Sequence, residues 1–446
     1  MNQQVNRKSL NRLSSFQILS LTVLLIPLWW LLGVKFVIFH LAAAAAFLVY
    51  LKNGAQEKSG PASFWKTSPE LVLLLGFILL YAVSIAVHFG DIPLPRKIAS
   101  LNNWSFWVIG FFVVFVVSKG LRKKDLLAFL RCFPIFGALS GLFVMLAFLF
   151  GLITGRTLQL PSLLMMALPE SWLEIISRKA LLLQSSLLLN IVGHDKIFQR
   201  QIPRSPGFNI YTTALGLTMI VVLLLSILYF SLKGNKKGMF PVLFLEGAAL
   251  ILSFSRMTLL AFGAASAFVL LVAFVPKALQ WKLVAVGLLA VLVFFIVVPP
   301  SSVWDAVSEF RRGSTVWRGR LYKMTIDESL KQPFLGHGFK PRTDEFPIPV
   351  ASHSTWLGVL YRTGFAGLAV FLLFWILVLR TWWRGRHGHS PGFPMKTAWV
   401  VSGIGLISGL LWMLTDDLDA PPITAFVFFL LVGLSMAVAR WGAEKA

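Results

Sequence analysis

Long apolar runs separated by polar breaks leave this chain one kind of fold. A helix that crosses a bilayer needs about 20 apolar residues, and backbone in lipid must satisfy its own hydrogen bonds. Runs of that kind lie near Phe16–Leu32, Val34–Leu51, Leu71–Phe89, Trp104–Ser118, Leu126–Ile153, Asn209–Ser231, Met239–Ser255, Met257–Val275, Trp281–Val298, Thr355–Leu379, Thr397–Leu414 and Ile423–Ala439. The expected fold is all-α: a polytopic membrane protein of about twelve transmembrane helices, residues 1–446 forming a single membrane-embedded domain. Charge content agrees. Only 13% of the residues are charged, against roughly a quarter in a soluble globule. Tryptophans near span ends, among them Trp29, Trp30, Trp104, Trp281 and Trp441, suit anchoring at the interface. The first run follows positive charges, as a signal peptide does, but it lacks an A-x-A site and leads straight into a second run. It therefore reads as a signal anchor.

Short loops set the orientation. On one side they read KGLRKKD (119–125), KGNKKG (233–238) and RTWWRGRHGH (380–389), with Arg7, Lys8, Arg12, Arg440 and Lys445 near the ends. On the other side the short connections at Gly33–Lys35 and Thr415–Pro422 are poor in Lys and Arg. The positive-inside rule then predicts both termini in the cytoplasm.

Two breaks are long, 155–208 and 299–354, and both are expected on the periplasmic side as mainly helical loops. Within the first, Trp172–Leu189 is expected to be a helix, lying on the membrane surface or packed as a cap. Within the second, Val316–Lys331 reads as an amphipathic helix that Pro333 terminates. These loops collect Arg204, Arg311, Arg312, Arg318, Arg320, His337 and His353. Topology accounts for the cytoplasmic cations but not for these, so an anionic, lipid-linked partner is expected there. A net charge of +23 split between two membrane faces does not point to nucleic acid. The single cysteine, Cys132, lies inside a span and reads as an inert small side chain.

Four clusters carry candidate chemistry. RSPGFN (204–209) offers Arg204, whose planar fork suits a diphosphate, although an arginine before a span also serves as an anchor. SFSRM (253–257) places Arg256 in an abrupt turn between spans, where charge at that depth marks function. In RRGSTVWRGRLYKM, Arg318 and Arg320 are two apart and cannot share a helix face, and Arg320 is expected to point inward. His337, between two glycines, reads first as a turn residue. HSTWL (353–357) sets His353 at a helix start beside basic residues, where it is expected to be neutral and able to accept a proton. Asp416 and Asp417 in TDDLD read as a turn, with divalent-ion binding as the second reading. The histidines lack metal-ligand spacing, so no metal and no cofactor are expected.

The ordered set RSPGFN, SFSRMTLLA, GRLYKM with QPFLGHGF, and HSTWLGVLYRTGFAG resembles the O-antigen ligase family of membrane glycosyltransferases. Ser354 stands where that family often has Asn, and Asn209-Ile210-Tyr211 where it often has Asn-Pro-Asn. Neither difference removes a charged group. The resemblance implies metal-independent, inverting transfer of a glycan from undecaprenyl diphosphate to lipid A–core at the periplasmic face. By position, it implies His353 as general base and Arg204, Arg256 and Arg320, with Arg318 second, as diphosphate ligands. An O-antigen polymerase of the same family is the nearest alternative, since it uses two copies of one donor type. A protein transferase is disfavoured by the short stretch after the last span. A lipid-linked-glycan flippase is the alternative of another class, and spans almost free of charge, with Glu246 apart, argue against it.

Overall fold

The apolar runs fold as helices. The computed structural model describes residues 14–56, 68–90, 92–173, 187–197, 200–234, 236–276, 312–343, 348–387 and 395–443, together with 184, 279, 280 and 282. Its main helices are α1 (Ser15–Leu24), α2 (Ile26–Leu32), α3 (Lys35–Gln56), α4 (Pro69–Val87), α5 (Leu94–Gly120), α6 (Cys132–Thr154) and α7 (Thr212–Lys233). They continue as α8 (Met239–Leu252), α9 (Arg256–Phe274), α10 (Arg312–Ser329), α11 (Thr355–Arg384), α12 (Met395–Trp412) and α13 (Pro422–Ala443). The protein is a multi-pass helical membrane protein.

The expected count of twelve spans is not confirmed among the described residues. Among the described residues nine helices are long and apolar enough to cross, and α1 with α2 makes a tenth if that pair, bent by 62°, is one span. Pro27, near the start of α2, accounts for the bend because it has no N–H to donate across the join. The run beginning at Met239 forms a helix of 14 residues, about 21 Å long at 1.5 Å per residue and short of the roughly 30 Å hydrocarbon layer. The run Trp281–Val298 lies outside the described residues. Helix α13 is apolar all round and buried throughout its membrane window, as a helix without a polar face must be. Helices α3, α5, α7, α11 and α12 pack against it.

The first long break is helical only in part among the described residues, at Leu163–Ala167 and 170–173. It carries an antiparallel sheet in the order β1 (Leu158–Pro161), β2 (Leu188–Ile197), β3 (Arg200–Arg204). Leu188 and Leu189, placed by sequence at the end of a helix, instead pair with Pro161 and Leu160, and 174–183 lie outside the described residues. β2 buries Leu189 and Val192 and pairs Gly193 with Arg204. The apolar run around Leu188 cannot distinguish strand from helix on its own, and cross-strand pairing decides it.

The second break holds α10, which ends just before Pro333 as expected. Beyond it, the QPFLGHGF loop enters a fault in α11. Gly364 there has φ 63° and ψ −168°, which ends the regular ladder. His337 and Gly338 N–H groups donate to the freed carbonyls of Tyr361 and Arg362 at 2.8 and 2.9 Å. In return, Phe365 and Ala366 N–H groups donate to the carbonyls of Pro333 and Phe334 at 2.6 and 3.3 Å. A side chain at Gly364 would bring its Cβ within 2.3 Å of the Phe334 oxygen, so glycine is required on two counts.

Candidate active site

Two turns from distant parts of the chain are tied into one unit. Thr355, the first residue of α11, donates its N–H to the carbonyls of Met413 and Asp416 at 2.9 and 3.0 Å. Its hydroxyl donates to the Asp416 carbonyl at 2.8 Å and accepts from the Leu418 N–H at 2.9 Å. Ser354 caps α11, its hydroxyl accepting from the Leu357 N–H. The HST turn therefore takes its shape from the TDDLD turn.

His353 sits where the two turns meet, in the left-handed region at φ 63°. A β-carbon is uncomfortable there, and both main-chain groups of His353 are held in place. Its N–H donates to Asp417 Oδ2 at 3.1 Å, and its carbonyl accepts from the Tyr322 hydroxyl at 2.6 Å. The ring meets Trp317 edge-on at 5.9 Å. Nδ1 lies 3.9 Å from Asp416 Oδ1, in ion-pair range but longer than a hydrogen bond. With its side chain 33% exposed, the ring is fixed on one edge and open on the other.

The carboxylates around it are committed to protein partners. Asp416 accepts from the Thr213 hydroxyl at 3.0 Å. Burial raises its pKa, with His353, Arg318 and Thr213 opposing. Asp417 forms a 2.8 Å ion pair with Lys340. Burial alone would raise its pKa, but the Lys340 ammonium outweighs that and the net shift is downward. Tyr322 is pushed up to about 12, chiefly by burial and against the pull of Arg318, so it reaches His353 as a neutral phenol. Asp416 and Asp417, weighed from sequence as a divalent-ion turn, are here the partners of His353 and Lys340.

The arginines separate into different positions. Arg204, expected as a diphosphate ligand, is only 6% exposed. Its Nε and Nη2 donate to the Ser253 carbonyl at 3.2 and 2.6 Å, and its Nη1 bonds Asp195 at 2.6 Å. Burial pushes its pKa down to about 10, and Asp416 opposes this. Arg204 is thus a strut that fixes the SFSRM turn from β3. Arg256, half-buried, opens α9 directly after that turn, where the charges of Arg318 and Arg204 both act on it. A cation at a helix N-terminus opposes the helix dipole, so this spot favours an anion. Arg318 reaches over to donate to the Thr415 carbonyl at 3.4 Å.

Sequence reasoning had Arg320 pointing inward, and the structure reverses the two. Arg318 shares a stripe of α10 with the buried Leu321, Thr325 and Ser329, whereas Arg320 is exposed alongside Lys323 and Asp327. The three- and four-residue spacing of Leu321 and Thr325 already held that signal. Arg311 lies outside the described residues. His337, read first from sequence as a turn residue, lies in the loop between α10 and α11. It stacks on Tyr361 with ring centres 4.4 Å apart, and its Nε2 is 3.0 Å from the Glu328 carbonyl. Lys340, Tyr322, Trp317 and Thr213 were not singled out by sequence reasoning. Neither was Arg362, buried inside α11 and paired with Asp419 at 2.5 Å. Glu246 is therefore not the lone ionisable group inside a span.

Residues 241–372 match the family model described as O-antigen ligase. The chain carries an O-antigen ligase family domain. The matched stretch includes Arg256, Arg318, His337, Lys340 and His353, while Arg204 and the TDDLD turn lie outside it. No curated protein matches the chain. The domain supports a membrane enzyme of the glycosyltransferase-like class.

Proposed function

We propose that this protein is an O-antigen ligase that moves a glycan from undecaprenyl diphosphate to lipid A–core at the periplasmic face of the inner membrane. One observation carries the reading: a half-open histidine of the family domain is backed by the buried Asp416, and Arg318, whose charge acts on both Asp416 and Arg256, links it to the arginine turn. The acceptor hydroxyl attacks the anomeric carbon of the glycan, and the bond from that carbon to the diphosphate oxygen breaks. Nδ1 of His353 faces Asp416, so Nε2 takes the hydroxyl proton and Asp416 supports the imidazolium that forms. The departing diphosphate keeps the bonding electron pair as negative charge. Arg256 and Arg318 stabilise that charge, and Arg204 holds the turn that aims Arg256. Attack opposite the leaving group inverts the anomeric centre. In this orientation, both termini and the Lys- and Arg-rich loops face the cytoplasm.

The test is the lipopolysaccharide of a strain lacking this gene. Loss of long-chain glycan with lipid-linked polymer accumulating is the expected result. A single repeat left on the core makes the protein a polymerase instead. Transfer by the purified protein in detergent separates an enzyme from a flippase, which has no product to give.

A further inference from the structure

The outer walls of α3 and α5 enclose a cavity of about 650 Å³ that none of Arg204, Arg256 and Arg318 lines. Its inner wall includes Ser352, directly before His353, and the Lys340–Asp417 pair that anchors the His353 N–H. The cavity therefore approaches the histidine turn by a route of its own. Toward the membrane it is lined by apolar residues, including Val37 and Ile98, which are 57% and 60% exposed. In a membrane protein, exposed apolar side chains on spanning helices meet lipid.

Four cations line this cavity, Arg96, Lys340, Arg342 and Arg362, and Arg362 is neutralised by Asp419. Arg96 and Arg342 both line it, near enough for the charge of Arg342 to act on Arg96. Lys340 has Asp417 to neutralise it. Among the described residues neither Arg96 nor Arg342 has an acidic partner. Asn102, also in the lining, carries a buried side-chain nitrogen without a hydrogen-bond partner, and buried donors are seldom left so. Two neighbouring guanidiniums, an unpartnered amide donor and a lipid-facing apolar wall together fit an anionic amphiphile. Phosphate or carboxylate would bridge the arginines, with hydrocarbon lying along α3 and α5.

We propose that this cavity holds the anionic glycolipid acceptor, its phosphate groups on Arg96 and Arg342. The assignment of acceptor rather than donor rests on the ligase reading. A donor diphosphate already has Arg256 and Arg318, and a second substrate must reach His353 by a different path.

The experiment measures binding, without turnover, to the purified full chain in detergent. The probes are lipid A–core, its dephosphorylated form, undecaprenyl diphosphate and phosphatidylglycerol. Replacing both Arg96→Gln and Arg342→Gln should weaken lipid A–core binding about tenfold or more, as the loss of charged hydrogen bonds predicts. Undecaprenyl diphosphate binding should stay unchanged, and the dephosphorylated acceptor should bind wild type and variant alike. Val37→Trp, at an exposed position that tolerates bulk, should also block lipid A–core. It decides the matter if the arginine variant binds no probe at all. Three results overturn the proposal: no lipid A–core binding to wild type, equal loss of undecaprenyl diphosphate binding, or the same arginine dependence for phosphatidylglycerol. A protein that binds lipid A–core here but transfers nothing refutes the ligase reading and leaves the glycolipid site standing.

Discussion

Replacing Lys340 by methionine tests whether the His353 turn is held by charge. Side chains of Lys340 and Asp417 are 8% and 12% exposed. At their 2.8 Å separation, Coulomb attraction is about 6 kcal/mol at an effective dielectric near 20. Desolvation of both ions offsets much of it, and removing one partner of such a pair typically costs about 3–5 kcal/mol. Lys340→Met should lose that much, because Asp417 is left charged and buried. Adding Asp417→Asn removes the stranded charge, so the double variant should regain at least half of the loss. The pH dependence has a definite sign. Lys340 holds the Asp417 pKa below its ordinary value. The stability this contributes is complete above the unfolded carboxylate pKa of about 3.9 and is lost only as pH falls through the lower, folded value. In Lys340→Met the same carboxylate is driven upward by burial, so its contribution to stability in that variant should grow as pH falls, while in wild type the Asp417 contribution stays flat down to about pH 5. Unfolding free energies in mixed micelles, for wild type, both single variants and the double variant, give the coupling energy. A coupling within about 0.5 kcal/mol of zero, the range of independent sites, refutes the reasoning.

His353→Ala should lower single-turnover transfer by about 100- to 10,000-fold with donor binding retained, whereas His337→Ala, stacked on Tyr361, should lose far less; near wild-type transfer by His353→Ala puts the base elsewhere. Arg256→Ala and Arg318→Ala should each nearly abolish transfer, with lysine a poor substitute for the fork, while Arg320→Ala stays close to wild type in the same assay. Gly364→Ala should destabilise by about 2 kcal/mol or more, since it adds left-handed strain to a backbone clash, and a thermal unfolding scan in detergent would detect it. Reporters fused after Lys123, Lys236 and Arg386 should score cytoplasmic and those after Pro161 and Pro341 periplasmic; a cytoplasmic score at Pro341 removes the donor from reach of the site.

What the sequence made legible follows from how local each signal is. Apolar length alone locates the helices, because lipid leaves the backbone no other solution. The placement of Arg256 and His353 at helix starts was equally local. The sheet was not, since Leu188–Leu189 is strand only by virtue of its pairing with Leu160–Pro161. Asp416 and Asp417 looked like a simple connection because their partners, Thr213, Lys340 and His353, are brought to them by packing across more than sixty residues. Arg204 was read as a ligand because sequence cannot show that the Ser253 carbonyl takes its fork.

The stitched fault in α11 bears on how this protein can be built and rearranged. Neither half of that helix can rest in hydrocarbon with its peptide groups open, each costing several kcal/mol. The residues that close them, Pro333 to Gly338, emerge from the ribosome before the span that needs them. The loop must therefore stay close by during insertion, and the segment bearing His353 settles only when both have docked. A chimera that exchanges α11 with a relative while keeping its own QPFLGHGF loop must re-form four main-chain hydrogen bonds at a single seam. Loop and span are one inherited part, and their boundary is a poor place to cut.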